Sequence, residues 1–399
     1  MASALLVASP ALASPALSSP PSLGIVVVTS PSNAHPSTSL IWGALGSTSL
    51  LRGVQDAPIE IVCDGYRTPA DLEPSHSQRA LKKLSGRPTA LSKRGIVSAE
   101  LGSSYEEYKR QLREEIDERG LGWRIDVDEC ESHHGFALCV RRGLEAVQRR
   151  GLRFALVLQH DRAFIRRFPE ADLRRVLQRF DDDETTRYVG FATSTSKLQS
   201  TRLQPRYKLN ALLEARTHTL RAGLLLRPSI FWFDSSHVVD VDRALPCLYE
   251  PFTCAPPFMH ARCADAAVAG TPSAGGPGGA GSADPPLPGG LGSFTLRRGD
   301  FIEDRFGVAQ RALLASLHDR PDELMETFDF FGSYLLEETV LESDDDGSAD
   351  GDRGVDDDDG DGPATVCELV DARARVSHVA HMDGRSSAPR EWLSQLPLL

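Results

Sequence analysis

Apolar residues in this chain gather into short, uninterrupted runs rich in β-branched side chains, separated by longer polar segments. Phe154, Ala155, Leu156, Val157 and Leu158 form one such run, which stops at Gln159-His160-Asp161. A run without polar alternation marks a strand covered on both faces, the usual state of a parallel strand. Ile25, Val26, Val27 and Val28 read the same way and close at Pro31-Ser32-Asn33, and Ile59 to Cys63 ends at Asp64-Gly65. Between these two, Leu40, Ile41, Ala44, Leu45 and Leu51 fall at helical spacing behind Ser/Thr capping residues. Strand, helix and strand in that order predict a parallel crossover.

The pattern continues downstream. A surface helix is expected over 104–119, with Ser103 or Ser104 as its cap and Glu106 and Glu107 in its first turn, where the helix dipole favours acids. A strand is expected at 123–127 and a helix over 135–150 that buries Phe136, Leu138, Val140, Leu144 and Val147. The run at Phe154 then becomes about the fourth strand, central in its sheet. Beyond it the sequence predicts a helix at 169–180, a strand at 188–192, an apolar segment over 220–232, a helix at 308–317 and a strand within 366–379. The stretch 264–292 is rich in Gly, Pro, Ala and Ser, and 343–363 is rich in Asp; both read as insertions too poor in apolar surface to offset their chain entropy. The expectation is one α/β domain over 23–399, its parallel strands covered on both faces, behind an N-terminal tail of residues 1–22.

Charge sharpens this picture. The net charge is −12. The segment 343–363 alone holds ten Asp and one Arg, so the remainder carries only −3. Such a body offers no basic surface for nucleic acid or anionic lipid. Seven Cys with no Cys-x-x-Cys pair indicate neither a zinc site nor a disulfide framework, and reduced thiols are the simpler reading. The Ala/Ser/Pro-rich first residues lack the basic segment of a secretory signal; their acid-poor Ser/Ala composition leaves an organellar transit peptide open, with the lack of Arg counting against it. With no apolar stretch of membrane-spanning length, a soluble, cytoplasmic protein is the expectation.

Ligands of open α/β sheets bind beyond the carboxyl ends of the strands, so Asp64 and Asp161, each closing a predicted strand, are the first candidates for chemistry. A carboxylate there can accept from a base or ribose, or hold a divalent cation against a diphosphate; it can equally cap a turn. Glu303 and Asp304 could serve as a general base or could cap the helix that follows them. Trp232, Asp234 and His237 could form an acceptor-binding site, the ring packing on an apolar sugar face while the polar groups accept from hydroxyls; a Trp-Phe pair is more often core. Asp357, Asp359, Asp361, Gly362 and Glu368 match a calcium-loop spacing, but without an incoming helix and inside a polyacidic tract. His133 and His134 have no ligand partner at helical spacing and read as helix-entry residues.

The ordered set IVVVTSPSN (25–33), IEIVCDG (59–65), FALVLQHD (154–161), FIEDRFG (301–307) and HVAHMDGR (378–385) resembles that of GT-A glycosyltransferases, particularly family-2-like enzymes that use nucleotide sugars. The resemblance implies that Thr29 and Ser30 line the nucleotide, that Asp64 contacts the base and that His160 lies on the donor side. It also implies that Asp161 holds a metal on the sugar diphosphate and that Asp304, with Glu303, lies near the acceptor as the base of an inverting transfer. The first acid of the family's D-x-D motif is missing, since Gln159 stands there. His160, His381 or His378 would then complete the metal shell, which favours Mn²⁺ over Mg²⁺ because imidazole suits it better. The implied fold is an α/β, Rossmann-like mixed sheet flanked by helices, and the implied partners are a nucleotide-sugar donor and an unidentified hydroxyl acceptor. Two other readings remain open: a nucleotidyltransferase, although the loop after the first strand has neither Gly nor Lys for phosphates, and a non-catalytic binding protein whose acidic tract recruits calcium or basic partners.

Overall fold

The computed structural model describes residues 22–74, 76, 78, 94–193, 196, 206–255, 259, 294–338 and 378–382. Nearly all of the N-terminal tail, both predicted insertions and the calcium-loop match therefore lie outside the described residues.

Among the described residues a nine-stranded sheet in the order β3-β2-β1-β4-β9-β6-β10-β8-β7 forms the frame, with a two-stranded sheet, β11-β5, beside it. Its first half comprises β1 (Leu23–Thr29), β2 (Ile59–Cys63), β3 (Ile125–Glu129) and β4 (Phe154–Gln159), all parallel. Helices α1 (Ser39–Ser47), α2 (Ala99–Glu118) and α3 (Phe136–Arg149) make the crossovers. As the apolar runs required, β1 and β2 are buried along their whole length and β4 along all but its last residue. Gly143 lets α3 close on β1, because a Cβ there would lie 2.3 Å from a Val26 methyl.

The second half is mixed. After β5 (Arg162–Phe164) and α4 (Glu170–Asp182) come β6 (Tyr188–Phe191) and the short α5 (Asn210–Arg216). The hairpin β7 (His218–Arg221) and β8 (Leu224–Pro228) leads to β9 (His237–Asp240), which runs antiparallel between β4 and β6. Helix α6 (Val241–Tyr249) follows, then α7 (Val308–Ala315), α8 (Pro321–Phe331), β10 (Ser333–Glu338) and β11 (Val379–His381). One apolar cluster runs through both halves of the sheet. No described helix is long and apolar enough to cross a membrane.

Several boundaries differ from the sequence expectation. Helix α2 begins five residues early, at Ala99, because Ser98 caps it: its hydroxyl accepts from the Leu101 amide at 3.2 Å. The third strand starts at Ile125, and Trp123 projects into solvent, 71% exposed. The segment expected as one apolar element over 220–232 is the end of a hairpin followed by a buried loop. His237 belongs to a strand of four residues, too short for its periodicity to show. Helix α8 and strand β10 had no counterpart in the sequence reading.

Candidate functional site

Strands β2 and β3 extend the sheet to one side of β1, whereas β4 adds on the other. The β1/β4 boundary is therefore where successive crossovers turn in opposite directions, and such a switch point leaves a crevice beyond the carboxyl ends of the strands. Thr29 ends β1 there with Ser30 after it, and His160 and Asp161 follow β4. The main chain around Asp161 is fixed on both sides: the His160 amide donates to the Val28 carbonyl at 3.2 Å, and the Asp161 carbonyl accepts from the Met382 amide at 2.8 Å.

Arg162, the first residue of β5, is the largely buried centre of what lies next to this edge. Its Nε donates to Gln159 Oε1 at 3.0 Å, and Gln159 Nε2 donates to the Asp234 carbonyl oxygen at 3.0 Å. Asp234 Oδ1 in turn accepts from the Glu303 amide at 3.1 Å, so that it caps the π-helical turn Glu303–Gly307 ahead of α7. Gly307 permits the close approach: a Cβ there would lie 2.7 Å from the Trp232 carbonyl oxygen and 3.1 Å from the Phe231 ring. Thus three segments far apart in sequence, 159–162, 231–234 and 303–307, meet at one place. Arg162 interacts electrostatically with Asp161, Glu303 and Asp234.

This environment shifts proton affinities. Burial, then the charges of Glu303 and Asp304, push the Asp234 carboxyl well above the carboxylate range, with Arg162 opposing. Burial also raises Glu303, again against Arg162. Burial lowers the Arg162 guanidinium despite its acidic neighbours, yet guanidinium starts so high that it remains charged. A carboxyl raised on folding stabilises the native state below the ordinary carboxylate range, and that contribution is lost as pH rises through the elevated range. Asp234→Asn preserves the oxygen that caps Glu303 and imitates the neutral acid. It is expected to match the parent near pH 4 and to exceed it at pH 7.5 by on the order of 1–3 kcal/mol. Urea unfolding at both values checks this; an unchanged difference between them would remove Asp234 as the titrating group.

The other candidates are distributed as follows. Asp64 is 3% exposed. Its oxygens accept from His133 Nδ1 at 2.8 Å, the His134 amide at 2.7 Å and the Gly135 amide at 3.1 Å. Burial disfavours its charged form, but these hydrogen bonds outweigh it and hold the carboxyl below its usual range. Trp232 has no exposed surface and packs between Tyr188 and Phe306, with ring centroids at 4.7 and 5.4 Å. His237 is equally buried in β9; its Nδ1 donates to the Ser235 carbonyl at 2.5 Å, and burial pulls it down to about 4. In this arrangement Trp232 and His237 are core residues beneath the cleft, and Asp234 is the member of that trio joined to the acidic cluster.

His381 lies on β11, the short strand that pairs with β5, and His378 immediately precedes it. His381 stands opposite Arg162 in the ladder, one residue from Asp161, and its side chain lies outside the described residues. The His378 ring is buried against Phe168 and Phe191, its amide donating to the Ala192 carbonyl at 2.8 Å. Burial, then Arg166, lowers it to about 4. Its carbonyl accepts from the Ile165 amide at 3.0 Å, which puts its main chain about four residues, or roughly 13 Å, along the ladder from Asp161.

Two groups at the cleft escaped the sequence reading. Arg162 adjoins Asp161 but no motif singled it out. His35, in the loop after β1, stacks on Tyr105 and Tyr108 at 5.0 and 4.1 Å and approaches His160, centroid to centroid, at 6.0 Å. Burial, then His160, lowers it to about 3. The contact unites the loop after β1, the turn after β4 and the middle of α2, a combination that no local spacing encodes.

No family model matches the chain, and no curated protein does. Solved structures similar to it include TarS from S. aureus (residues 1–349), with a TM-score of 0.26 and 10% identity over 55% of this chain and 47% of that one. A putative glucose-1-phosphate thymidylyltransferase from Bacillus anthracis, in complex with a sucrose, has a TM-score of 0.21 and 10% identity over 43% and 56%. Mouse xyloside xylosyltransferase 1, in its apo form, has a TM-score of 0.24 and 10% identity over 55% and 67%. The chain thus spans about half the length of the first two.

Proposed function

We propose that this chain is a glycosyltransferase of GT-A type that moves a sugar from a nucleotide-diphosphate-sugar donor to an acceptor hydroxyl. The observation that carries the reading is the position of Asp161 at the β1/β4 switch point, with Asp234 and Glu303 gathered around Arg162 beside it. Donor diphosphate would lie along the ends of β1 and β4, against Thr29, Ser30 and His160. Asp64 contributes by fixing the Ser132–Gly135 turn at the neighbouring strand end.

The residues present fit a divalent cation. Asp161, Glu303 and Asp304 supply hard oxygen donors, and their summed charge exceeds that of Arg162, so a diphosphate would be repelled without further positive charge. Among the described residues no three potential ligand atoms are preassembled around Asp161. The cation, Mn²⁺ or Mg²⁺, would accordingly be held by Asp161 with His381 and the donor itself, the usual arrangement where substrate phosphates complete the shell. When bound, it supplies charge against the departing nucleoside diphosphate. Glu303 or Asp304 accepts the proton of the acceptor hydroxyl, as an inverting transfer requires; burial has raised the proton affinity of Glu303 toward the value suited to that task.

Incubation with UDP- and GDP-sugars plus Mn²⁺ tests the reading. Release of nucleoside diphosphate is expected, while release of sugar 1-phosphate would point to nucleotidyl transfer instead. Asp161→Ala is expected to lower turnover by about 10²–10³-fold, comparable to losing one group that stabilises developing charge. Undiminished turnover in that variant would reject the assignment.

A further inference from the structure

Asp64, Cys130 and Cys139 come from three separate elements: the end of β2, the end of β3 and the first turn of α3. All three are buried, at 3%, 6% and 0% exposure. One carboxylate oxygen and the two sulfurs all lie within 4.8 Å of one another. The spacing of the sulfurs is informative. A tetrahedral zinc ion with bonds of about 2.3 Å to each sulfur places the two sulfurs about 3.8 Å apart; Cys130 Sγ and Cys139 Sγ are 4.0 Å apart. A disulfide would require about 2.0 Å, so the side chains stand closer to a shared ion than to a covalent bond.

The surroundings hold this geometry in place. The Cys130 amide donates to the Cys63 carbonyl at 2.9 Å, tying the residue to the end of β2, and the Cys139 amide donates to the Gly135 carbonyl at 3.1 Å. His133 Nδ1 and the amides of His134 and Gly135 orient the Asp64 carboxylate from the other side, as outer groups orient metal ligands. Gly95 makes room for the His133 ring, since a Cβ there would lie 2.1 Å from it. A buried carboxylate facing two thiols becomes a strongly negative donor set as soon as the thiols ionise.

We propose that Asp64, Cys130 and Cys139 bind a thiophilic divalent cation of the zinc class, which clamps the carboxyl ends of β2 and β3 to the start of α3. Two thiol protons leave to solvent as the ion binds, and a solvent molecule takes the fourth position. The site is distinct from the acidic cluster at Asp161 and does not depend on the glycosyltransferase reading. It was invisible in the cysteine count because Cys130 and Cys139 are nine residues apart and the third ligand is an aspartate 66 residues upstream.

The full chain, reduced, stripped with EDTA and titrated with Co²⁺, provides the test. The expected result is a thiolate-to-cobalt charge-transfer band that saturates at one ion per chain and is displaced by Zn²⁺. Cys130→Ser and Cys139→Ser are each expected to abolish the band, Asp64→Asn to weaken binding at least tenfold, and Cys247→Ser to leave it intact. Should either serine variant fail to fold, alkylation of the parent protein replaces it: Zn²⁺ is expected to protect Cys130 and Cys139 from iodoacetamide, read peptide by peptide. The proposal is overturned by absence of the band, by its survival in both serine variants, by alkylation indifferent to zinc, or by a Cys130–Cys139 disulfide in protein purified without oxidant.

Discussion

Arg162→Met is expected to destabilise the protein by about 1–3 kcal/mol at pH 7.5, the range for losing a hydrogen bond made by a charged, partly buried group. Methionine fills much of the side-chain volume, so the loss isolates charge and hydrogen bonding from packing. In the parent, the guanidinium opposes the rise in proton affinity that burial imposes on Asp234 and Glu303. Without it both carboxyls rise further. Their ionised forms then cost more at neutral pH, whereas below the ordinary carboxylate range both are neutral and cost little. The deficit should therefore shrink markedly between pH 7.5 and pH 4.5 in urea unfolding. Equal losses at the two pH values would mean that Arg162 acts through packing alone. The Gln159 side chain, which bridges Arg162 to the Asp234 carbonyl, would lose one of its anchors, so donor turnover should fall along with stability.

Gly332→Ala is expected to cost about 3 kcal/mol or more, from about 1–2 kcal/mol for a left-handed backbone with a Cβ and a further 1–3 kcal/mol for overpacking. Gly332 ends α8 at φ +51°, and its amide donates to the Phe328 carbonyl at 2.7 Å. Its carbonyl accepts from the amides of Arg187 and Tyr188, at 2.9 and 3.1 Å. A Cβ would lie 1.7 Å from the Thr185 carbonyl oxygen, a backbone atom that cannot swing aside. Relief requires separating α8 from the start of β6, which loosens the parallel pairing of β6 with β10. Differential scanning calorimetry checks the loss, and a variant melting within a degree of the parent would show that the turn yields without cost. The prediction concerns the scaffold: β6 carries Tyr188, whose hydroxyl donates to the Phe233 carbonyl at 3.2 Å, immediately before Asp234.

How much was legible in the sequence follows from which signals are local. The buried strands β1 and β4 stood out because each carries an unbroken apolar run, β2 because Ile59, Ile61, Val62 and Cys63 leave only Glu60 as a polar position, and α3 because its apolar residues recur on one face. Asp161 stood out because a carboxylate interrupts such a run. By contrast, β9 has four residues, all buried, and is flanked by the equally buried loop Ser229–Ser236; neither periodicity nor polarity separates them. Helix α2 began early because Ser98, not Ser103 or Ser104, supplies the cap, and several serines nearby could have done so. Trp232 and His237 have side chains suited to a sugar surface, yet burial is a property of the packed sheet and not of residue type.

The sequence by itself determined an α/β protein with parallel, doubly covered strands, and it determined that one of them delivers a carboxylate to its carboxyl end. Period and polarity act over a few residues, and they carry that much. Only the tertiary structure decided that this end lies at the switch point between β1 and β4, that Arg162 faces acids drawn from positions 161, 234 and 303, and that Asp64 meets Cys130 and Cys139. Each of these depends on the order in which strands join the sheet, a choice made by the packing of the whole core. No spacing along the chain records the result.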